Sequence, residues 1–153
     1  MTVWTSQSDT RGSAAITVAS IMVAEGDPPT VLGLIDPLSE FADAVTVSAR
    51  FVVHVVPQSQ YRLADQLAGR SPSALDRFDD VSVIASGWGP VLEDLTTRAY
   101  CSLGDTTPVG ESLLLRGSVD DVDLADVAPE PLVYVRGFYR GVAPLPNRPP
   151  LFR

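Results

Sequence analysis

The sequence predicts a mainly β protein: a small barrel of about seven strands with a few peripheral helices. Three observations lead there. Runs rich in Val, Ile and Thr recur along the chain, as at Ile16–Ser20, Thr30–Ile35 and Arg50–Val56. Gly, Pro and Asp punctuate them at short intervals. Helical spacing of apolar residues is confined to two clear segments, with neither an internal repeat nor a linker.

Val3–Ser6 reads as a short first strand, and Gln7–Ser13 as a hairpin turn around Asp9 and Gly12. Ala14–Val23 is expected as one continuous strand. Glu25–Pro29 ends it, because two prolines cannot donate to a ladder. Thr30–Ile35 is a buried strand. Asp36 is the expected N-cap of a helix with Pro37 in its first position. Leu38, Phe41, Ala42 and Val45 make its apolar face, and Ala49-Arg50 ends it. Phe51–Val56 lacks alternation apart from His54, so it is expected to be covered on both faces.

Ser59 is the expected cap of a second helix, Gln60–Ala68, with Leu63, Ala64, Leu67 and Ala68 inward and Gly69 as its stop. Pro72–Phe78 is a weaker helix, Val81–Ala85 a strand and Gly87–Pro90 a loop. Thr96–Leu103 and Glu111–Val119 are strands joined by a loop, Gly104–Gly110. Asp120–Pro131 is an acidic loop, Leu132–Arg136 a last strand, and Pro144–Pro150 an extended tail.

The composition removes several chemistries. The 153 residues suit one domain with a real core. A net charge of −8, without a basic cluster, excludes a nucleic-acid face and disfavours an anionic membrane surface. All 11 cations are Arg, so no Lys can form a Schiff base or act as nucleophile. A single Cys (Cys101) and a single His (His54) rule out an intrachain disulfide and multi-His metal centres. Ser-His-Asp hydrolysis would have to converge on one histidine set in an apolar strand. His54 and Cys101 read as core residues, Trp88 as an aromatic packed on the barrel. Ala14–Ala24 is apolar, but it follows Asp9, lacks a basic start and is interrupted by Thr17 and Ser20, so it reads as strand rather than leader. No run approaches a membrane span. The expected location is cytoplasmic.

An ordered set of short landmarks carries a resemblance. They are T-V-A-S ahead of D-P-P, R-F-V-V-H-V followed by a helix with Gln60, Leu63 and Ala64, then A-G (Ala68-Gly69) and D-R-F (Asp76–Phe78). G-P-V-L (Gly89–Leu92), A-Y-C (Ala99–Cys101), G-D (Gly104-Asp105) and P-L-V-Y-V-R-G-F-Y (Pro131–Tyr139) complete the set. From Val3 to Tyr139 the chain resembles the flavin reductase-like, FMN-binding split-barrel family. The resemblance implies a split β-barrel domain over residues 1–140, with 141–153 a Pro-rich tail. It also implies a homodimer holding FMN (or FAD) in an interface groove, NAD(P)H as co-substrate and a monooxygenase as partner. Thr17, Val18, Ala19 and Ser20 would lie against the isoalloxazine and ribityl chain. Leu34, Ile35, Asp36 and Ser39 would lie near the ribityl–phosphate end, and Arg50 and Phe51 beside the groove. Asp105 would occupy the family's G-D-H loop, near the stacked nicotinamide.

Two departures motivate an alternative, a non-catalytic or degenerate flavin-binding module acting through protein contacts. Thr106 replaces the loop histidine. The phosphate region offers Asp36 and Glu40, which oppose a phosphate, with Arg11 or Arg50 the compensating cations in reach. A deazaflavin-dependent relative on the same fold is a third reading. Hydride transfer between nicotinamide and flavin needs ring stacking and water exclusion rather than a protein acid or base, so the sparse catalytic inventory is compatible with a reductase.

Overall fold

The computed structural model describes residues 1–70, 78 and 80–143. Among them run β1 (Thr2–Ser8), β2 (Gly12–Val18), β3 (Ile21–Ala24), β4 (Thr30–Ile35), α1 (Glu40–Ser48) and β5 (Arg50–Val55). A 3-10 turn (Gln58–Gln60), α2 (Tyr61–Asp65) and a π turn (Gln66–Arg70) follow. The remaining strands are β6 (Val83–Ile84), β7 (Val91–Leu92), β8 (Arg98–Val109), β9 (Ser112–Asp123), β10 (Leu132–Val135) and β11 (Phe138–Gly141). The expected Pro72–Phe78 helix and Pro144–Pro150 tail lie outside the described residues, apart from Phe78.

Seven strands form one antiparallel sheet in the order β2-β1-β5-β8-β9-β4-β3. Its edges, β2 and β3, are consecutive in the chain and separated only by Ala19 and Ser20. A flat seven-stranded sheet would be about 29 Å wide, whereas three Cα–Cα steps reach about 11 Å. The sheet therefore curls until its edges meet, as a split barrel of the expected mainly β class. Leu34 N–H donates to Ser20 C=O at 3.1 Å, tying β4 to the corner.

The barrel interior is built around three aromatics. Trp4 and Phe51 stack at 5.2 Å, and Phe41 of α1 meets both rings edge-on. Two strand glycines make room for them. A methyl on Gly33 would lie 2.5 Å from the Trp4 ring, and one on Gly117 would lie 2.5 Å from Phe51. Val18, Val31, Ile35, Val53, Cys101 and Leu115 fill the remainder. A second cluster sits on the other face of β1 and β5, where Val3 and Val56 are covered by Leu63, Ala64 and Leu67. β5 is thus covered on both faces, Phe51 and Val53 on one and Val52 and His54 on the other, as its sequence predicts.

Several boundaries differ from expectation. Ala14–Val23 is two strands, broken at the Ala19-Ser20 corner. Ser39, not Asp36, caps α1: its Oγ accepts from Ala42 N–H at 3.2 Å. Asp36 instead makes a turn of its own, with Oδ1 accepting from Leu38 N–H at 2.8 Å. That turn delays the helix, removes Pro37 from it and leaves Leu38 91% exposed, while Phe41, Ala42 and Val45 stay buried. Ser59 is not the cap of α2: its N-cap is Gln60, with no side-chain bond, and the helical path runs past Gly69 to Arg70.

Gly104–Val109 is strand, not loop. Gly104 is the extra residue of a β-bulge, since Leu103 pairs with Gly117 and Asp105 with Arg116. β8 and β9 continue as a ribbon to a tight turn at Gly110-Glu111, where Gly110 takes φ +58°. Pro108 is tolerated because β5 pairs with β8 only from Arg98 to Ser102, leaving one side of the ribbon unladdered. β9 also absorbs the start of the expected acidic loop, up to Asp123. Among the described residues, no helix is long and apolar enough to cross a membrane.

Candidate functional site at the barrel corner

Ala19 and Ser20 are exposed where the sheet edges meet. Three concavities adjoin there. One, of about 240 Å³, is an apolar groove lined by Ala19, Ser20, Met22, Leu32, Leu34 and Leu114. A second, of about 210 Å³, lies between Thr17, Ala19, Ala68, Tyr134 and Tyr139. The third, of about 410 Å³, is a cleft lined by Ile16, Asp36, Ser39, Glu40 and Ala68. Ala19 is common to the first two and Ala68 to the last two. Strand alternation explains the groove: Met22 pairs with Leu32, and Leu34 with Leu114, so their side chains share the outer face.

Of the residues expected at a site, Thr17, Ala19, Ser20, Leu34, Asp36 and Ser39 line these concavities. The Thr17 hydroxyl is engaged, donating to Ala64 C=O at 2.6 Å and tethering α2 to β2. Val18, Ile35 and Phe51 are not lining side chains. They are 2%, 3% and 0% exposed and point into the barrel, because they alternate with the outward residues. Only their backbone could face a ligand. Arg50 lines none of the three, with Nη1 donating to Gly87 C=O at 3.2 Å and its guanidinium over Trp88 at 5.6 Å. Trp88 packs on Tyr100 and donates from Nε1 to Asp120 at 2.8 Å.

Asp105 is likewise outside the three concavities and lies in mid-strand. Its carboxylate takes both arms of Arg116, each at 2.9 Å. The loop expected around it is the hairpin tip six residues on, so Gly110-Glu111-Ser112 is the glycine-acid turn of this chain. Unrecognised in the sequence were Met22, Leu32, Leu114 and the hairpin tyrosine Tyr134. The available signal was an apolar residue at alternate positions on two paired strands, but the pairing itself is not written locally.

The cleft at the start of α1 is acidic. Asp36 and Glu40 line it and Asp43 follows in the first helical turn. Arg11 reaches Asp43 at 3.4 Å, with both side chains more than half exposed, an ion pair of small energetic weight. The single histidine and the single cysteine are sequestered. His54 Nε2 accepts from Leu92 N–H at 3.1 Å and Nδ1 faces Val3 C=O at 3.2 Å, which fixes a neutral ring protonated on Nδ1. Burial pushes its pKa down to about 4. Burial also pushes the Cys101 thiol up to about 12, leaving it unreactive. Among the described residues no group of three His, Cys, Asp or Glu could hold a metal ion.

Comparison with known proteins decides the family. The flavin reductase like domain matches residues 1–143. The chain belongs to the flavin reductase-like family. It is 26% identical over 129 residues to the flavin-dependent monooxygenase reductase subunit HsaB of Mycobacterium tuberculosis, covering 83% of this chain and 67% of that protein. It is 28% identical over 127 residues to the NADH-dependent FMN reductase AsuE2 of Streptomyces nodosus subsp. asukaensis, covering 82% and 69%. A nitrilotriacetate monooxygenase component B homologue from Mycobacterium thermoresistibile superposes with a TM-score of 0.84 at 25% identity, over 99% of this chain and 84% of that one. The flavin reductase HpaC, solved with NADP+, shares the fold with a TM-score of 0.82 at 23% identity, over 94% and 90%.

Against this flavin reductase-like frame the corner fits a flavin unevenly. A flat apolar ring suits the Ala19–Leu34–Leu114 groove, which offers exposed backbone and small side chains. The acidic cleft at α1 does not suit a phosphate, since carboxylates oppose an anion at a helix N-terminus by about 0.5–1 kcal/mol each when exposed.

Proposed function

We propose that this chain is an NAD(P)H-dependent flavin reductase that binds FMN or FAD at the Ala19-Ser20 corner and supplies reduced flavin to a monooxygenase. The observation that carries the reading is the corner itself: an exposed apolar groove at the barrel split of a flavin reductase-like domain. The reductase relatives, one of them a monooxygenase subunit, agree with it.

Flavin supplies the two-electron acceptor when bound. This chain's residues then have physical rather than acid–base tasks. Ala19 and Ser20 let the backbone approach a ring closely, as larger side chains would not. Leu32, Leu34 and Leu114 present an apolar wall that keeps water from one face. Thr17 holds α2 against β2, so the second concavity keeps its shape. The weak phosphate end favours flavin as a substrate that arrives and leaves over flavin as a resident group, which suits delivery to a second enzyme.

The same face points to a homodimer. Met22 is 65% exposed beside the groove, and Val109 46% at the ribbon tip. A second copy laid over β3 and β4 would bury them and close the groove from above.

The test is NADH or NADPH oxidation by the purified protein with and without added FMN, FAD and riboflavin. Flavin-dependent turnover supports the reading. The acidic α1 cleft favours the second reading, a flavin-binding module without turnover, which saturable quenching of FMN fluorescence with no donor oxidation would select. Neither quenching nor turnover would sink both.

A further inference from the structure

A cavity of about 510 Å³ lies between the β10–β11 hairpin and the turn into α2. The strand register settles which hairpin side chains face it. Leu132 pairs with Gly141 and Tyr134 with Tyr139, so these four share one face, while Val133, Phe138 and Arg140 take the other. Leu132 is the floor, Tyr61 and Tyr139 the walls, and Gln58 and Ser59 the rim. β10 and β11 present no charged side chain on that face. Backbone bonds hold the shape: Leu132 N–H donates to Val56 C=O at 3.2 Å and Gln58 N–H to Glu130 C=O at 2.8 Å. The Gln58 carboxamide lies against the bare Cα of Gly141, in the space a side chain there would take. Tyr61 stays 44% exposed although the Arg62 guanidinium covers one of its faces at 5.8 Å.

The chain itself carries an occupant of matching chemistry. Three residues past Gly141 begins P-L-P-N-R-P-P-L-F-R (144–153), which lies outside the described residues. Three Cα–Cα steps reach about 11 Å, so Pro144 starts close to the cavity's edge. Ten residues in a polyproline II path span about 31 Å, enough to cross the rim and its surroundings. Proline-rich segments lose little entropy on binding, and their rings dock on exposed aromatic faces. A carboxamide such as that of Gln58 donates to the carbonyls between them. Charge agrees: the segment holds Arg148 and Arg153 and no acid, in a chain of net charge −8, and Glu130 is exposed beside the floor. The covalent tether gives an effective concentration on the order of millimolar, so a weak contact suffices.

We propose that residues 144–153 dock in the Tyr61–Tyr139 cavity of their own chain. Tyr139 also lines the concavity that holds Thr17 and Ala19, so the docked segment braces a wall of the barrel corner. The docking stands by itself; the value of the brace rests on the proposed flavin site.

The experiment replaces 144–153 by a Gly/Ser sequence of equal length and adds a dye-labelled synthetic peptide of the natural segment. Saturable binding to the replaced chain is expected by fluorescence anisotropy. It should be about tenfold weaker to the unaltered chain, whose own segment competes, and about tenfold weaker when Tyr61→Ala is added. A peptide of the same residues in scrambled order should not bind. No binding, or equal binding to the replaced and unaltered chains, overturns the docking. Sedimentation separates the occupants: a dimer that the replacement converts to monomers would put the segment on a second copy and overturn docking within one chain. A dye on Arg153→Cys reads the otherwise intact chain, because Cys101 is 0% exposed and leaves one accessible thiol. Its anisotropy should fall with Tyr61→Ala and not with Arg11→Ala; no fall counts against the proposal. Quenching of FMN fluorescence is then compared in both chains. Weaker FMN binding by the replaced chain, restored by the peptide, supports the brace, and unchanged binding removes it. Peptide binding in a protein that binds no flavin upholds the docking and overturns the flavin site.

Discussion

Held between Val3 and Leu92 at 0% exposure, His54 is a histidine used for shape and hydrogen bonding rather than for proton transfer. Its folded pKa of about 4 lies below the unfolded 6.5, so between these values the unfolded chain binds more protons. Its contribution is therefore complete above about pH 6.5, declines as pH falls towards 4, and amounts to about 3 kcal/mol in total. Urea unfolding at several pH values should show this loss, and His54→Gln, with a donor and an acceptor but no proton to gain, should flatten the slope in that window. An unchanged slope would mean that other groups dominate acid sensitivity. At the same scale, Gly33→Ala forces a methyl into the Trp4 ring and should cost about 1–3 kcal/mol in the same assay. That histidine and cysteine are core groups was legible, since both sit in apolar strand sequence. That Gly33 and Gly117 exist to admit aromatics was not, because each glycine's neighbour lies in a distant part of the chain.

The start of α1 shows why element boundaries are less legible than elements. D-P-L-S contains two capping residues three apart, and each has the chemistry to start a helix. Asp36 spends its carboxylate on Leu38 N–H, so Ser39 becomes the cap. Ser39→Ala should cost about 1 kcal/mol in thermal or chemical unfolding. Asp36→Asn with Glu40→Gln keeps an acceptor for Leu38 and removes the charge. That double variant should bind FMN more tightly by on the order of tenfold while leaving riboflavin affinity unchanged, with the gain shrinking in high salt. Equal gains for both ligands would show that the cleft does not face the phosphate. The β8–β9 ribbon carries the same lesson. A glycine within β-prone sequence marks either a bulge or a loop, and Gly104 proved to be a bulge once its partner strand was in place. With it, the glycine-acid turn moved to Gly110-Glu111, a displacement that local sequence does not signal.

At the scale of the whole molecule, the exposed face of β3 and β4 is the feature a single copy leaves unexplained. Met22→Asp should shift the sedimenting species from dimer to monomer and, with the groove opened to water, lower flavin-dependent donor oxidation at least about tenfold. A monomeric wild-type protein with full activity would remove the interface from the proposal. What the chain order dictated was considerable. Mainly β content, turns at Gly and Pro, a doubly covered β5, the acidic surface and the absence of lysine chemistry all follow from local patterns, because alternation, turn chemistry and composition are properties of adjacent residues. Family membership was legible for the same reason, as an ordered series of short segments. Only the tertiary structure decided that Ala14–Val23 breaks at Ala19-Ser20, that Val18, Ile35 and Phe51 face inward, and that Arg50 and Asp105 are engaged at Gly87 and Arg116 rather than lining the concavities. Those outcomes depend on the sheet curling until β2 meets β3. Closure of that kind is set by pairing between strands far apart in sequence, and no window along the chain records it.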